Sequence, residues 1–218
     1  MTPALSEAAL RSGAHELNID LTDVQAARLA SYGALLMKWS KVYNLTAVRD
    51  PGGVLTHHLL DSMAVVAPLR RALKARGWER IRLLDVGSGA GLPGAVIAIL
   101  CPDVDVTCLD AVAKKTAFVQ QVSAELKLPN LRGLHARVES LADRYEVISS
   151  RAFASLQDFV DGSANALGTD GIWLAMKGRV PEDEIKNLAT GTEVFHVEQL
   201  TVPGLSAERC IVWVRKIL

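Results

Sequence analysis

Residues 84–94 consist of Leu84-Asp85-Val86-Gly87-Ser88-Gly89-Ala90-Gly91-Leu92-Pro93-Gly94. They follow the apolar run 81–86, which predicts a buried parallel strand, and they precede residues 95–101, which predict a helix. Glycines at such a strand-to-helix turn let the backbone approach a ligand that a side chain would hold off. Free N–H groups at the start of the next helix favour polar or anionic ligand atoms. The stretch therefore predicts an α/β fold with a ligand site at the end of its first strand.

A carboxylate follows this turn one strand later. Asp110 lies 25 residues after Asp85, at the end of the apolar run 104–109, where nucleotide-binding folds place the acid that binds the ribose hydroxyls. A dinucleotide fingerprint would need a glycine at Leu92, and no Gly-Lys-Ser/Thr follows as in a Walker A loop. The pattern D-x-G-x-G-x-G is instead typical of S-adenosylmethionine (AdoMet) methyltransferases. The alternative is a glycine turn that only packs a helix on the sheet.

Strand and helix patterns alternate from Ile81 onward. Strands are predicted at 81–86, 104–109, 131–135, 145–149, 172–176, 193–202 and 210–217, and helices near 92–101, 113–127, 155–167 and 181–189. Such alternation predicts right-handed βαβ units and a parallel sheet covered on both faces. Only the turn 203–206 separates the last two strands, so they are predicted to pair as an antiparallel hairpin. The predicted fold class is α/β, the Rossmann-like class I AdoMet-dependent methyltransferase, with a seven-stranded, mostly parallel sheet.

The first eighty residues have a helical pattern, which predicts an N-terminal helical cap over residues 1–80 and an AdoMet-binding domain over 81–218. Thr22 and Gln25 fit a capping box at the start of a long helix. Residues 44–46 and 50–53 are predicted to form loops, and residues 54–73 a further helix.

Composition limits the function classes. The chain has 218 residues, and no apolar run approaches the ~20 residues of a membrane span, so no membrane association is expected. The three cysteines, Cys101, Cys108 and Cys210, lack metal-ligand spacing, so we expect no metal site and a reducing, cytoplasmic location. The net charge is zero, which argues against a large RNA footprint. Six basic residues between Arg70 and Arg82 form either an RNA contact or a solvated surface.

Several ordered motifs resemble the bacterial RsmG (GidB) family. They are Trp39, Tyr43-Asn44-Leu45-Thr46-Ala47-Val48-Arg49-Asp50-Pro51, His58-x-x-Asp61-Ser62, residues 84–94, Arg137-Val138-Glu139, Ser150-Arg151-Ala152-Phe153-Ala154-Ser155-Leu156 and Lys177-Gly178. The resemblance implies methylation of N7 of a guanine in the 530 loop (guanine 527) of 16S ribosomal RNA. It implies AdoMet as methyl donor, with S-adenosylhomocysteine as product. The expected partner is 16S rRNA within the 30S subunit or its precursor, and the expected state is a monomer.

The resemblance also implies roles for individual residues. The cofactor-binding residues are Gly87, Ser88, Gly89, Gly91, Leu92, Asp110, Val138, Glu139 and Arg151, with Val138 and Glu139 beside the adenine. The predicted catalytic residues are Arg151 and Lys177. The predicted substrate-binding residues are Asn44, His58, Asp61 and Phe153.

Alternatives remain open for the side chains. Arg151 either contacts the guanine or a phosphate, or it pairs with a carboxylate such as Asp85. Lys177 either holds a phosphate or is solvated, and Phe153 either stacks on a flipped base or packs in the core. His58 and Asp61 contact substrate or form a hydrogen-bonded pair on one helical face.

The chemistry favours a ring nitrogen as methyl acceptor. Guanine N7 carries a free lone pair and no proton, so it needs no general base. Enzymes that methylate exocyclic amines commonly carry an Asn/Asp-Pro-Pro-aromatic loop, which residues 149–153 at the end of the fourth strand lack. Enzymes that methylate the ribose 2′-hydroxyl often use a Lys-Asp-Lys-Glu set, and this strand end lacks its Asp. Methylation at carbon 5 of a base requires a cysteine nucleophile in the site, and none of the three cysteines lies in a motif loop. The competing functions are an AdoMet methyltransferase with another RNA or small-molecule substrate, and a cofactor-binding module or NAD-type oxidoreductase.

Overall fold

The computed structural model describes residues 5–151, 153 and 155–217, and this part of the chain contains a seven-stranded sheet. The strands are β1 (Ile81–Val86), β2 (Val104–Asp110), β3 (Leu131–His135), β4 (Tyr145–Arg151), β5 (Leu167–Lys177), β6 (Thr192–Leu200) and β7 (Arg209–Lys216). Residues 1–4, 152, 154 and 218, which the predicted domains and the motif 150–156 include, lie outside the described residues.

The strand order is β3-β2-β1-β4-β5-β7-β6. Strands β1 to β5 pair in parallel, whereas β7 runs antiparallel to both β5 and β6. The predicted mostly parallel sheet and the C-terminal antiparallel hairpin are therefore confirmed. Because β7 lies between β5 and β6, the start of the last strand reaches the end of β5, where Lys177 is opposite Cys210.

Helices cover both faces of this sheet. They are α1 (Glu7–Glu16), α2 (Asp23–Tyr43), α3 (Pro51–Gly53), α4 (Asp61–Met63), α5 (Val66–Ala75), α6 (Gly94–Leu100), α7 (Ala113–Glu125), α8 (Leu156–Ser163) and α9 (Glu182–Lys186). A π-helical turn spans Val54–Leu60 and a 3₁₀ turn spans Val138–Ser140.

The N-terminal helices differ in part from the predicted ones. The capping box of α2 is present, since the Thr22 side chain accepts from the Gln25 N–H and the Gln25 side chain accepts from the Thr22 N–H. The loop predicted at 50–53 is wrong: Asp50 caps a helix that begins at Pro51, because its carboxylate accepts the Gly53 N–H at 2.7 Å. The helix predicted at 54–73 is instead the π-helical turn, α4 and α5 in succession.

Alternate residues of the central strands pack in two separate cores. In β1, Leu83 belongs to the core under α1, α2, α5, α6 and α7, and Leu84 belongs to the core under α8. The first of these cores is continuous from N-terminal residues such as Leu10 to sheet residues such as Trp213. The N-terminal helices thus complete one covering layer of the sheet, and a domain boundary at residue 80 remains a prediction.

Candidate active site

The glycine-rich turn leaves open space at the carboxyl end of β1. Gly87 and Gly89 have φ values of +65° and +59°, which side chains rarely adopt. No atom lies within 4 Å of a Cβ built at either glycine. The Asp110 carboxylate accepts the Gly89 N–H at 3.0 Å and the Val112 N–H at 2.9 Å. The predicted turn and the predicted acid therefore meet at one edge of the sheet.

Asp85 has an internal role beneath this turn. Its buried carboxylate accepts the Gly94 N–H at 2.9 Å and the Ser149 hydroxyl at 3.0 Å. Burial raises the pKa of Asp85 to about 6, against the opposing effects of these hydrogen bonds and of Arg151. Asp85 therefore occupies the first N–H of α6, and a ligand contact at this helix start remains a prediction.

A cavity of about 300 Å³ opens beside the turn. We call it the glycine-side cavity; it is lined by Val86, Gly87, Leu109, Asp110, Ala111, Ala136, Arg137, Val138, Glu139 and Phe153. Val138 is buried and Glu139 is exposed at the start of the 3₁₀ turn. The cavity combines apolar walls with one buried carboxylate, which is the composition that a nucleoside site requires.

Two predicted site residues have packing roles in the structure. Phe153 lines the glycine-side cavity and packs against Phe159, with ring centroids 5.6 Å apart. It does not line the second cavity, described next, which contains Arg151. Leu92 is buried in the first core. It has a packing role in the structure, and its contact with a cofactor remains a prediction.

A second cavity, of about 400 Å³, lies across the end of β4. We call it the arginine-side cavity; it is lined by His57, His58, Asp61, Arg151, Met176, Lys177, Gly178 and Arg209. Its centre is Asp61, whose side chain is 3% exposed. One oxygen of Asp61 accepts from Arg151 at 2.9 Å and the other from Arg209 at 2.7 Å. Arg151 thus pairs with Asp61, not with the predicted candidate Asp85, and it also donates to the His57 carbonyl at 3.1 Å.

His58 bonds to a different partner from the predicted Asp61. Its Nε2 lies 2.7 Å from the Thr46 hydroxyl, and its Nδ1 lies 3.0 Å from the His57 carbonyl. The reason is the π-helical turn, in which residues three apart do not share the face that an α-helix would give them. Burial, assisted by Arg151, lowers the pKa of His58 to about 4. His58 is therefore neutral at pH 7.

Lys177 and Asn44 are also held by other side chains. The Lys177 ammonium lies 2.8 Å from the Glu184 carboxylate of α9, so the alternative of a solvated lysine is wrong. Asn44 ends α2 in a left-handed conformation, with φ +52°. Its side-chain oxygen accepts from Arg49 at 2.7 Å.

The sequence reasoning missed Arg209, Thr46 and Glu184. Arg209 is the first residue of the last strand, 148 residues after Asp61, and no local pattern relates the two. Thr46 and Glu184 were within the quoted motif 43–51 and the predicted helix 181–189, but only the fold shows their partners.

The basic run between Arg70 and Arg82 is largely neutralised. Each of its arginines has an internal partner: Arg70 with Asp103, Arg71 with Glu198, Arg76 with the Asp170 carbonyl, Arg80 with Asp105 and Arg82 with Glu146. This pairing favours a surface role over an RNA contact.

Two kinds of feature are absent from the described residues. None of their helices is long and apolar enough to cross a membrane. Nor do they contain a group of three or more His, Cys, Asp or Glu that could hold a metal ion.

Comparisons with known proteins agree with this geometry. A ribosomal RNA small subunit methyltransferase G from Acidovorax sp. (strain JS42) is 59% identical over 216 residues, which cover 97% of this chain and 96% of that protein. The same enzyme from Polaromonas sp. (strain JS666 / ATCC BAA-500) is 61% identical over 207 residues, covering 94% and 92%.

Solved structures of lower identity share the fold. The N-methyltransferase NodS from Bradyrhizobium japonicum WM9, in complex with S-adenosylhomocysteine, has a TM-score of 0.57 at 14% identity and covers 86% of this chain and 99% of its own. TrmN from Thermus thermophilus has a TM-score of 0.56 at 18% identity, covering 78% and 55%. These likenesses confirm the predicted class I methyltransferase fold. The family model described as "GidB: rRNA small subunit methyltransferase G" matches residues 25–212, and the chain belongs to this family.

Proposed function

We propose that this protein transfers a methyl group from AdoMet to N7 of a guanine in the 530 loop of 16S ribosomal RNA, guanine 527. Membership of the rRNA small subunit methyltransferase G family supports rRNA methylation. The position on the RNA rests on the resemblance of the quoted motifs and on the chemistry of the arginine-side cavity.

The glycine-side cavity suits the nucleoside of AdoMet. The open space at Gly87 and Gly89 admits ligand atoms that a Cβ would exclude. The Asp110 carboxylate accepts from Gly89, Val112 and Lys115 and retains acceptor capacity for a ribose hydroxyl. Val138, Leu109 and Phe153 provide apolar walls for an adenine. The fold neighbour NodS was solved with S-adenosylhomocysteine, which is consistent with this use of the fold.

The arginine-side cavity suits the guanine. The observation that carries the proposal is that its two buried titratable groups, Asp61 and His58, are poor bases. Both oxygens of Asp61 accept from guanidinium groups, and His58 has a pKa of about 4. A site without a free buried base matches guanine N7, which has no proton to lose.

The residues of this chain act mainly by positioning. AdoMet, when bound, supplies an electrophilic methyl carbon on its sulfonium. Arg151, fixed by Asp61 at the end of β4, is proposed to donate to guanine O6 or to a phosphate and so to hold N7 in line with that carbon. Lys177 is proposed to hold a backbone phosphate, and Asn44, His58 and Asp61 to shape the wall that faces the RNA.

Recognition is proposed to depend on the assembled 30S subunit. The net charge is zero, and the arginines between Arg70 and Arg82 are paired internally, so the electrostatic attraction for naked RNA is small.

Methylation of unmodified 30S subunits and of protein-free 16S RNA tests the proposal. With labelled AdoMet, we expect 7-methylguanine at guanine 527 in the 30S subunits and little product in the free RNA. Product at another nucleotide would refute the position, and equal rates on both substrates would refute the dependence on the subunit. No product on either would refute the proposed activity.

A further inference from the structure

The last turn of α2 exposes large apolar side chains at the surface. Val42 is 70% exposed and Tyr43 is 42% exposed. Lys38 and Lys41 are exposed beside them, and Lys38, Lys41 and Val42 share one helical face through their spacing of three and four residues. We call Lys38, Lys41, Val42 and Tyr43 the α2-end patch.

The charge of this segment has one sign. No acidic residue occurs between Asp23 and Asp50, a stretch that contains both lysines of the patch. The neighbouring helix α7 contacts α2 through Phe118 and Trp39. It adds the exposed Lys114, which lies four residues before Phe118 and so on the same face of α7. The patch is therefore cationic around an exposed aromatic ring.

Tyr43 is held in place by packing. Its ring centroid lies 5.1 Å from that of Trp39, and Trp39 in turn lies 5.4 Å from Phe118. A ring supported on one side and exposed on the other can accept a planar group without ordering a mobile side chain.

A short segment of chain links the patch to the arginine-side cavity. Three residues after Tyr43, the Thr46 hydroxyl bonds to His58 at 2.7 Å, and His58 lines that cavity. A nucleic acid strand that delivered a base to the cavity would thus have the end of α2 nearby.

We propose that the α2-end patch binds an unpaired stretch of the RNA substrate next to the target nucleotide. Tyr43 stacks on a base, and Lys38 and Lys41 contact backbone phosphates, which is how single strands are commonly bound. This inference rests on the proposed function and assigns the patch to RNA, not to a ribosomal protein.

Binding of unmodified 30S subunits at several salt concentrations tests the inference. Tyr43→Ala should weaken binding about tenfold with an unchanged salt slope, because stacking is lost but no charge. Tyr43→Phe should bind like the wild type. Lys38→Gln/Lys41→Gln should reduce the slope of log K against log salt by about 1.4, that is about 0.7 for each single-strand phosphate contact.

Lys74→Gln is the matched control, because Lys74 is an exposed lysine near the end of α5, which precedes the amino end of β1. It should change neither affinity nor slope. AdoMet titration checks that each variant folds, and a variant that loses AdoMet affinity would make the patch structural and overturn the inference. Normal binding by Tyr43→Ala would also overturn the inference. An unchanged salt slope in the lysine variant would do the same, because that is the result expected if the patch contacts a protein. Methylation by the wild type in the same preparation tests the proposed function separately.

Discussion

Replacement of Asp61 by asparagine should strongly destabilise the protein. Asp61 is buried in the arginine-side cavity and accepts hydrogen bonds from Arg151 and Arg209 on separate oxygens. Asparagine keeps one acceptor but presents an amide donor to the other guanidinium. The substitution therefore leaves two neighbouring cations without a counterion and one donor facing another.

The magnitude follows from the burial of the three groups. Hydrogen bonds to charged groups contribute about 1.5–3 kcal/mol each, and loss of one partner of a buried ion pair costs about 3–5 kcal/mol. The side chains of Arg151 and Arg209 are 21% and 23% exposed, so water screens part of the remaining charge. We expect a loss of about 3 kcal/mol in the free energy of unfolding.

Urea unfolding at pH 7 measures this loss, with an unchanged m-value as evidence that the unfolded state is unaffected. Asp143→Asn is the matched control, because Asp143 pairs with Arg132 at the surface with its side chain 62% exposed; it should cost less than about 0.5 kcal/mol. Removal of Arg209 in the Asp61→Asn background should restore part of the stability, because the amide oxygen can then serve Arg151 alone. Equal stability of Asp61→Asn and Asp143→Asn would refute the assigned role of Asp61.

Two further predictions concern the cofactor and pH. Gly87→Val should abolish AdoMet binding in isothermal titration. Gly77→Val is the control, because Gly77 has a similar φ of +67° and equally open surroundings; it should suffer the same backbone strain and still bind AdoMet. Loss of binding in both variants would show that backbone strain alone is responsible. For His58, a folded-state pKa of about 4 against 6.5 in the unfolded chain means that the unfolded state takes up the proton first as pH falls. The wild type should therefore lose on the order of 3 kcal/mol of stability relative to His58→Gln between about pH 6.5 and about pH 4, and parallel pH profiles of the two proteins in urea unfolding would contradict this.

Local sequence patterns were sufficient for most of the fold. The glycines of residues 87–94 and the acid Asp110 predicted the turn and its position, because positive φ angles and strand ends depend on neighbouring residues. The strands β1 to β7 were predicted by apolar runs, since a strand covered on both faces is apolar along its length. The start of α3 was missed because Asp50-Pro51-Gly52-Gly53 contains residues that favour both turns and helix starts.

The sequence by itself determined the α/β class, the glycine-rich turn with its carboxylate, and the family to which the chain belongs, since these depend on residues close together in the chain. Only the tertiary structure decided the partners of the charged side chains. Asp61 meets Arg151 and Arg209, 90 and 148 residues away, because β7 inserts beside β5 and a π-helical turn precedes Asp61. Such pairings depend on which strands are neighbours in the sheet, and no local pattern of apolar residues specifies that order.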